Sequence, residues 1–205
     1  MLRGKRSGGF ITLPYKMVLR RREFLHTGNV SAKIERKKGC DHMATAYFAG
    51  GCFWCITPTF REMEGVHNVI SGYSGGMEVN PVYEEVKYQR TGHRETIRID
   101  YDPEKVSFRE LFDIFLGGVD PFDEGGQFID RGHSYTLAAY YLTEEEQQIA
   151  LEGIRALEAQ AGQKVFISVE PFTAFYNAEE EHQDYYRKHP EEFRQELIDS
   201  GRIRE

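Results

Sequence analysis

Two cysteines three residues apart follow a pair of glycines in Gly50-Gly51-Cys52-Phe53-Trp54-Cys55. A strand-like stretch, Ala44 to Ala49, leads into the glycines, which turn the chain sharply at no steric cost, so Cys52 stands where a helix begins. Unpaired N–H groups would then face its sulfur. A helix N-terminus lowers a thiol pKa from about 8.5, and the thiolate is the reactive form, which makes Cys52 a candidate nucleophile. The spacing suggests a second role. Residues i and i+3 on a helical turn hold their Cβ atoms about 5–6 Å apart, so a small adjustment brings Cys52 and Cys55 within disulfide range. One thiol can react and the other resolve. Two alternatives stay open on spacing alone. One is inert packing, because free cysteine is among the most buried residue types. The other is zinc, which wants four ligands, whereas the chain offers one C-x-x-C, an isolated Cys40 and scattered histidines. Neither His67, His93, His133 nor His182 has metal-like spacing.

The elements that must hold this turn follow from pattern. Val66 to Tyr73, Glu95 to Tyr101, Tyr135 to Leu142 and Lys164 to Glu170 read as four further strands. Ser107-Phe108-Arg109-Glu110 and Thr143-Glu144-Glu145-Glu146 are capping boxes, each opening an apolar-periodic helix, with Gly117 and Gly162 as stops. Strands alternating with helices imply an α/β or α+β layer structure, one sheet covered on at least one face. Pro58 would break a helix begun at Cys52, so a kink is expected, or a restart with Thr57 as N-cap. Ala178 to Gly201 reads as two charged helices split at Pro190, with Glu179-Glu180-Glu181 and Asp184-Tyr185-Tyr186-Arg187 on a solvated face.

Composition bounds the class. At 205 residues, 40% hydrophobic and 13% aromatic, the chain can bury a real core, which excludes wholesale disorder and fibre. No apolar run approaches the roughly 18 residues that cross a bilayer. Residues 1–40 hold 11 Lys/Arg against 2 Asp/Glu, whereas residues 41–205 hold 15 against 31. Residues 1–43 therefore read as a basic, disordered extension ahead of a catalytic domain at 44–205, and Met43 is an alternative start. Arg21-Arg22 resembles a twin-arginine signal without the apolar segment that export needs, and the stretch is too poor in serine for a good transit peptide. Three cysteines in a chain this long argue for a reducing compartment, and a cytoplasmic location is expected.

The segment around Cys52 resembles the active-site signature of A-type peptide methionine sulfoxide reductases. Further motifs follow in that family's order: Gly72-Tyr73-Ser74-Gly75-Gly76, Asn80-Pro81-Val82-Tyr83-Glu84-Glu85-Val86, Thr91-Gly92-His93-Arg94-Glu95, Tyr101-Asp102-Pro103, Gly126-Gln127 and Asp130-Arg131-Gly132-His133-Ser134-Tyr135. The resemblance runs from about Ala46 to Pro190. It implies a two-layer sandwich, a mixed sheet with a ferredoxin-like core. It implies Cys52 as nucleophile, Glu95 as proton donor, Tyr83 and Tyr135 as hydroxyl partners of the sulfoxide oxygen, Phe53 and Trp54 as walls for the substrate methyl, and Asp130 as a site-shaping carboxylate. Two departures stand out. The family often has Arg after the tyrosine matching Tyr135, where this chain has Thr136, and the C-terminal Ser200-Gly201-Arg202-Ile203-Arg204-Glu205 lacks the recycling cysteines of some members. Cys55 is then the resolving thiol.

The chemistry asks for these residue types. Reduction of a sulfoxide needs a soft anionic attacker, which selects thiolate over serine, and an acid still protonated near pH 7, which requires a carboxyl in a dry pocket. The strand Glu95-Thr96-Ile97-Arg98-Ile99 alternates polar and apolar, which by itself sets Glu95 on an exposed face beside Arg98; only the resemblance places it in the site. Twelve tyrosines single out neither Tyr83 nor Tyr135, although a phenol can donate to an oxyanion without carrying charge. Phe53 and Trp54, adjacent on a turn, point in different directions, so one packs inward. Asp130, in a loop after a Gly-rich stretch, is expected to orient its neighbours. The expected reaction is reduction of the S epimer of methionine sulfoxide, protein-bound or free. A Cys52 sulfenic acid is resolved by Cys55, and thioredoxin recycles the disulfide. No bound cofactor, metal, nucleic acid or membrane is expected, and the chain is taken as a monomer. The rival readings are a general thiol–disulfide oxidoreductase and a non-catalytic metal-binding module.

Overall fold

A computed structural model describes residues 43–203 of the chain. The basic segment before Met43, with Cys40 and the arginine pair, lies outside the described residues. Eight strands and six helices alternate: β1 (Ala44–Gly50), α1 (Phe53–Arg61), β2 (Val66–Ser74), α2 (Tyr83–Lys87), β3 (Arg94–Tyr101), α3 (Phe108–Gly118), β4 (Gly126–Gln127), β5 (Asp130–Arg131), β6 (Leu137–Tyr141), α4 (Glu144–Ala161), β7 (Ile167–Pro171), β8 (Phe175–Asn177), α5 (Tyr185–Lys188) and α6 (Pro190–Asp199). Six strands form one sheet in the order β7-β6-β1-β3-β2-β8, while β4 and β5 make a separate two-stranded ribbon. All neighbours in the large sheet run antiparallel except β6 and β7, so the sheet is mixed.

Period-two alternation divides the strands between two faces. Ala46 and Phe48 of β1 and Ile97 and Ile99 of β3 join the main core, whereas Tyr47, Ala49, Ala138 and Tyr140 form a smaller cluster on the opposite face with Phe172. Helix α3 lays Phe108, Leu111, Phe112 and Phe115, at the i, i+3, i+4, i+7 spacing, onto that core, where Phe48 stacks on Phe115 with ring centroids 4.9 Å apart. Each such side chain, fully buried, contributes about 1.5–3 kcal/mol, which is what pins β1 and hence the Cys52 turn.

The Ser107 capping box is complete: Ser107 Oγ accepts from the Glu110 N–H at 3.2 Å and the Glu110 carboxylate accepts from the Ser107 N–H at 2.8 Å. The Thr143 box is half formed. Thr143 Oγ1 accepts from the Glu146 N–H, but the Glu146 carboxylate reaches one residue further back, to the Leu142 N–H. Gly162 ends α4 in the left-handed region, φ 66°, as its position after the last apolar residue implies.

Three expectations are corrected. Helix α3 runs through Gly117 and ends at Gly118, with Val119 as its C-cap. Helix α1 runs through Pro58 without a restart. Thr57 is not an N-cap; its hydroxyl donates back to the Phe53 carbonyl at 2.7 Å, occupying a helical carbonyl one turn up just ahead of the proline that removes an N–H. The C-terminal segment is only in part a solvated face: Glu180, Glu181 and Arg187 are exposed, but their neighbours pack inward. Glu179 Oε2 accepts from the Tyr73 hydroxyl at 2.8 Å and its Oε1 from the Tyr83 N–H at 2.9 Å, while His182 and Tyr185 stack inward.

Candidate active site

The site begins at the end of β1. Gly51 sits at φ 78°, and a Cβ there would lie 2.6 Å from Gln127 Cβ, so only glycine fits both the backbone and the contact. Gln127 is fully buried, its amide tied to Asp120 N–H and carbonyl and to the Gly126 carbonyl, so the wall behind Gly51 is rigid. That turn delivers Cys52 as the N-cap of α1. Cys55, one turn on, donates its N–H to the Cys52 carbonyl at 3.1 Å; both thiols are free, Cys52 buried and Cys55 half-exposed.

The first helical amide does not face sulfur. The Phe53 N–H donates to Glu95 Oε2 at 3.0 Å, and Cys52 makes no side-chain cap. Glu95 is 1% exposed. It lies on the same face of β3 as Ile97 and Ile99, because residues two apart share a face; the expected exposed position beside Arg98 is wrong. Burial is the largest influence on its carboxyl. The Phe53 N–H and the Tyr135 hydroxyl pull the pKa down, Asp130 and Glu196 push it up, and the balance stands at about 8. Glu95 thus keeps its proton at neutral pH.

Cys52 departs from expectation in the same direction. The hydrogen-bonded Cys55 thiol, burial and the Glu95 and Glu196 carboxyls push it well above the ordinary cysteine range. With 5% of its surface exposed, it rests as a neutral thiol, not as the thiolate that a helix N-terminus alone would give.

The two tyrosines converge on this pair. Tyr135, 8% exposed, is raised first by burial and then by Glu95, to which its hydroxyl bonds. Tyr83, at the start of α2, is raised by burial and by Glu95, Tyr135 and Cys52 around it. Both stay protonated hydroxyl donors. Phe53 and Trp54 divide as adjacent turn residues must: Phe53 is 0% exposed, between Tyr73 and Tyr83, while Trp54 is half-buried and stacks on Tyr185 with centroids 3.9 Å apart. Phe53 thus lies inside the core and Trp54 nearer the surface, beneath Tyr185. Asp130, on β5, lies close enough to raise Glu95 and has Arg202 at 3.7 Å. Thr136 accepts a hydrogen bond from Arg94 Nε at 2.9 Å, so a guanidinium does stand beside it, supplied by β3; that arginine also pairs with Glu170.

Glu179, His182, Tyr185, Gln127 and Arg202 escaped sequence reasoning. Aromatic residues set within the charged run 179–187 were the available sign that it packs. His93, fully buried, accepts from the Gly76 N–H at 3.2 Å and bonds the Glu78 carbonyl at 2.8 Å, a structural histidine of the Gly75-Gly76 turn. Among the described residues no three His, Cys, Asp or Glu side chains converge as metal ligands would.

A buried nucleophilic thiol, a protonated carboxyl and two phenols fit reduction of a polar S–O group beside an apolar one. The family model for peptide methionine sulfoxide reductase matches residues 44–204. The chain belongs to that family. Similar relatives include the peptide methionine sulfoxide reductases MsrA of Picrophilus torridus, 46% identical over 71% of this chain and 83% of that protein, and of Bacillus licheniformis, 45% identical over 77% and 88%. Among solved structures, the reduced form of Mxr1 from Saccharomyces cerevisiae superposes with a TM-score of 0.69 at 26% identity, covering 73% of this chain and 87% of that one. The methionine sulfoxide reductase A of Corynebacterium diphtheriae gives 0.67 at 30%, covering 74% and 77%. The activity that follows from membership is thiol-dependent reduction of methionine sulfoxide to methionine, and the sandwich around Cys52 is the fold that carries it in this enzyme.

Proposed function

We propose that Cys52 attacks the sulfur of the S epimer of methionine sulfoxide while Glu95 protonates its oxygen. The observation that carries this reading is the Glu95 carboxyl, buried, protonated near pH 7 and bonded at 3.0 Å to the amide next to Cys52. Tyr83 and Tyr135 donate to the developing oxyanion, and Trp54 lines the methyl side. Both acid and nucleophile begin neutral, so the dry site carries no unpaired charge. The partial positive charge on sulfoxide sulfur, facing Cys52, then favours loss of the thiol proton as the S–S bond forms. That proton returns to the Glu95 carboxylate. The hydroxyl then passes from the methionine sulfur to the Cys52 sulfur as the S–O and S–S bonds of the intermediate break, which releases methionine and leaves Cys52 as a sulfenic acid, so one thiol and one sulfoxide become one sulfenic acid and one thioether.

Cys55 then attacks the Cys52 sulfenic acid, forming a disulfide and water. Half-exposed on the first turn of α1, it is the thiol placed to do so and to be met by an external dithiol. Thioredoxin is the proposed reductant, protein-bound and free methionine sulfoxide the substrates, and a cytoplasmic monomer the acting form. Incubation with each separated epimer and dithiothreitol should yield methionine from the S epimer alone. Methionine from the R epimer at an equal rate would overturn the stereochemical part, and none from either would overturn the whole.

A further inference from the structure

The nucleophile is covered. Cys52 and Glu95 are 5% and 1% exposed, yet they must meet a thioether side chain. The C-terminal segment borders the site on two sides, at Trp54 and at Asp130. At one end, Tyr185 of α5 stacks flat on Trp54, 3.9 Å between centroids and 12° between planes. At the other, the chain stops α6 and turns back: Gly201, at φ 74°, donates its N–H to the Ile198 carbonyl, and the Arg202 N–H donates to the Leu197 carbonyl at 2.9 Å. This paired-bond helix stop fixes where residue 202 points. Its guanidinium lies over the Phe128 ring, 4.2 Å from the centroid, and 3.7 Å from Asp130 Oδ2. Between the two anchors α6 carries Glu196, half-buried and near enough to act on Cys52, Glu95 and Tyr83.

The Arg202–Asp130 contact is close but not locked. At 3.7 Å it is longer than a hydrogen bond, and neither Arg202 Nη1 nor Asp130 Oδ2 has a hydrogen-bond partner among the described residues, although both atoms are buried. Such a pair holds mainly by charge, at a distance beyond a well-formed hydrogen bond.

We propose that Arg202 is a positioning residue that clamps the C-terminal helix over Cys52 through Asp130, and that release of this clamp admits the oxidised methionine side chain of a polypeptide. The inference rests on Cys52 as the nucleophile, but its test is alkylation, which needs no sulfoxide chemistry and so fails or succeeds independently of the proposed reaction.

The full-length protein and its Arg202→Ala, Arg202→Glu and Arg202→Lys variants are treated with iodoacetamide, and modification of Cys52 and Cys55 is followed separately by peptide mass spectrometry. Rates are followed across pH and compared at full ionisation of the thiol, so that they read access and not charge; on that scale Cys52 should react roughly threefold faster in Arg202→Ala and tenfold faster in Arg202→Glu, where the new carboxylate repels Asp130, while Arg202→Lys stays near the unsubstituted rate. Cys55, already half-exposed, should not change. With a peptide sulfoxide, KM should fall by the same factor as alkylation rises, since the binding-competent fraction grows. Equal Cys52 rates across the four proteins would overturn the proposal. So would a parallel rise at Cys55, which would mean general loosening.

Discussion

Replacing Glu95 by Gln separates the acid's chemistry from its burial, because the two consequences have opposite sign. The glutamine amide can still accept the Phe53 N–H and donate to a sulfoxide oxygen, but it transfers no proton. General acid catalysis contributes about 10²–10⁴-fold, so the sulfoxide step at pH 7 should slow by that factor, about 3–5 kcal/mol of barrier. With a carboxyl pKa of about 8, wild type is about nine-tenths protonated at pH 7 and about one-tenth at pH 9, so its single-turnover rate should fall above pH 8 and the variant's should not. Stability runs the other way. The folded pKa is raised above the unfolded value, so the unfolded chain releases a proton that the native state keeps. The stability tied to that proton is complete below about pH 4.5 and is lost as pH rises to about 8. At 1.36 kcal/mol per unit, the wild type loses about 4 kcal/mol across that window and Glu95→Gln does not, which for a domain of this size is roughly 8–16 °C in Tm at pH 8. Stopped single-turnover assays by chromatography and melts at pH 5 and pH 8 read the two effects. A variant that is slow but no more stable at pH 8 than wild type would refute the buried, protonated carboxyl. One that is stabilised yet undiminished in rate would refute Glu95 as the acid.

Cys52→Ser should abolish reduction with any dithiol, whereas Cys55→Ser should release about one methionine per enzyme and then fail to turn over with thioredoxin; full turnover without Cys55 would remove it from the cycle. The pH dependence of Cys52 alkylation in the free enzyme should report a pKa above the ordinary cysteine range, and a midpoint below about 8 would contradict the neutral resting thiol. Gly51→Ala should cost about 2 kcal/mol or more in urea unfolding, from the left-handed backbone and the 2.6 Å approach to Gln127; a loss under about 0.5 kcal/mol would mean that the turn relaxes freely. Ser107→Ala should cost about 1 kcal/mol by the same measurement, with activity per folded molecule unchanged.

The fold was legible where signals are local. The five longer strands, the Ser107 cap and the Gly162 stop each depend on a few adjacent residues, and they stand where pattern puts them. Pro58 misled because it removes only the one bond from residue 58 to the Trp54 carbonyl, and the helix runs on past it because Ile56 and Phe60 on either side are buried in the core, a long-range effect that no local period encodes. Glu95 was legible and misread: a strict period of two places it with Ile97 and Ile99, and weighing its polarity over its register set it on the wrong face. The segment from Glu179 to Arg187 was misread for a different reason. Its charges look solvated in isolation, and only contacts about a hundred residues away in sequence, Glu179 to Tyr73 and Tyr83, turn it into the back wall of the site.

The charge state of Cys52 shows which scale of interaction decides. A helix N-terminus is worth about 0.3–1 kcal/mol at an exposed site and ~2 kcal/mol when partly buried, a pKa unit or so at most. Burial can shift a thiol or carboxyl by 3–5 units. In α1 even the local contribution is diverted, because the Phe53 amide that would stabilise a thiolate is bonded to Glu95. The amide serves better there. It holds the acid beside the nucleophile and keeps its pKa near 8, low enough to release a proton to a sulfoxide oxygen, whereas unopposed burial would have pushed it further up. Local sequence thus specifies where the sulfur stands, and the long-range burial beside Glu95, Tyr83 and Tyr135 sets its resting charge; in the proposed reaction it ionises only once a polarised sulfoxide enters and gives the departing proton somewhere to go.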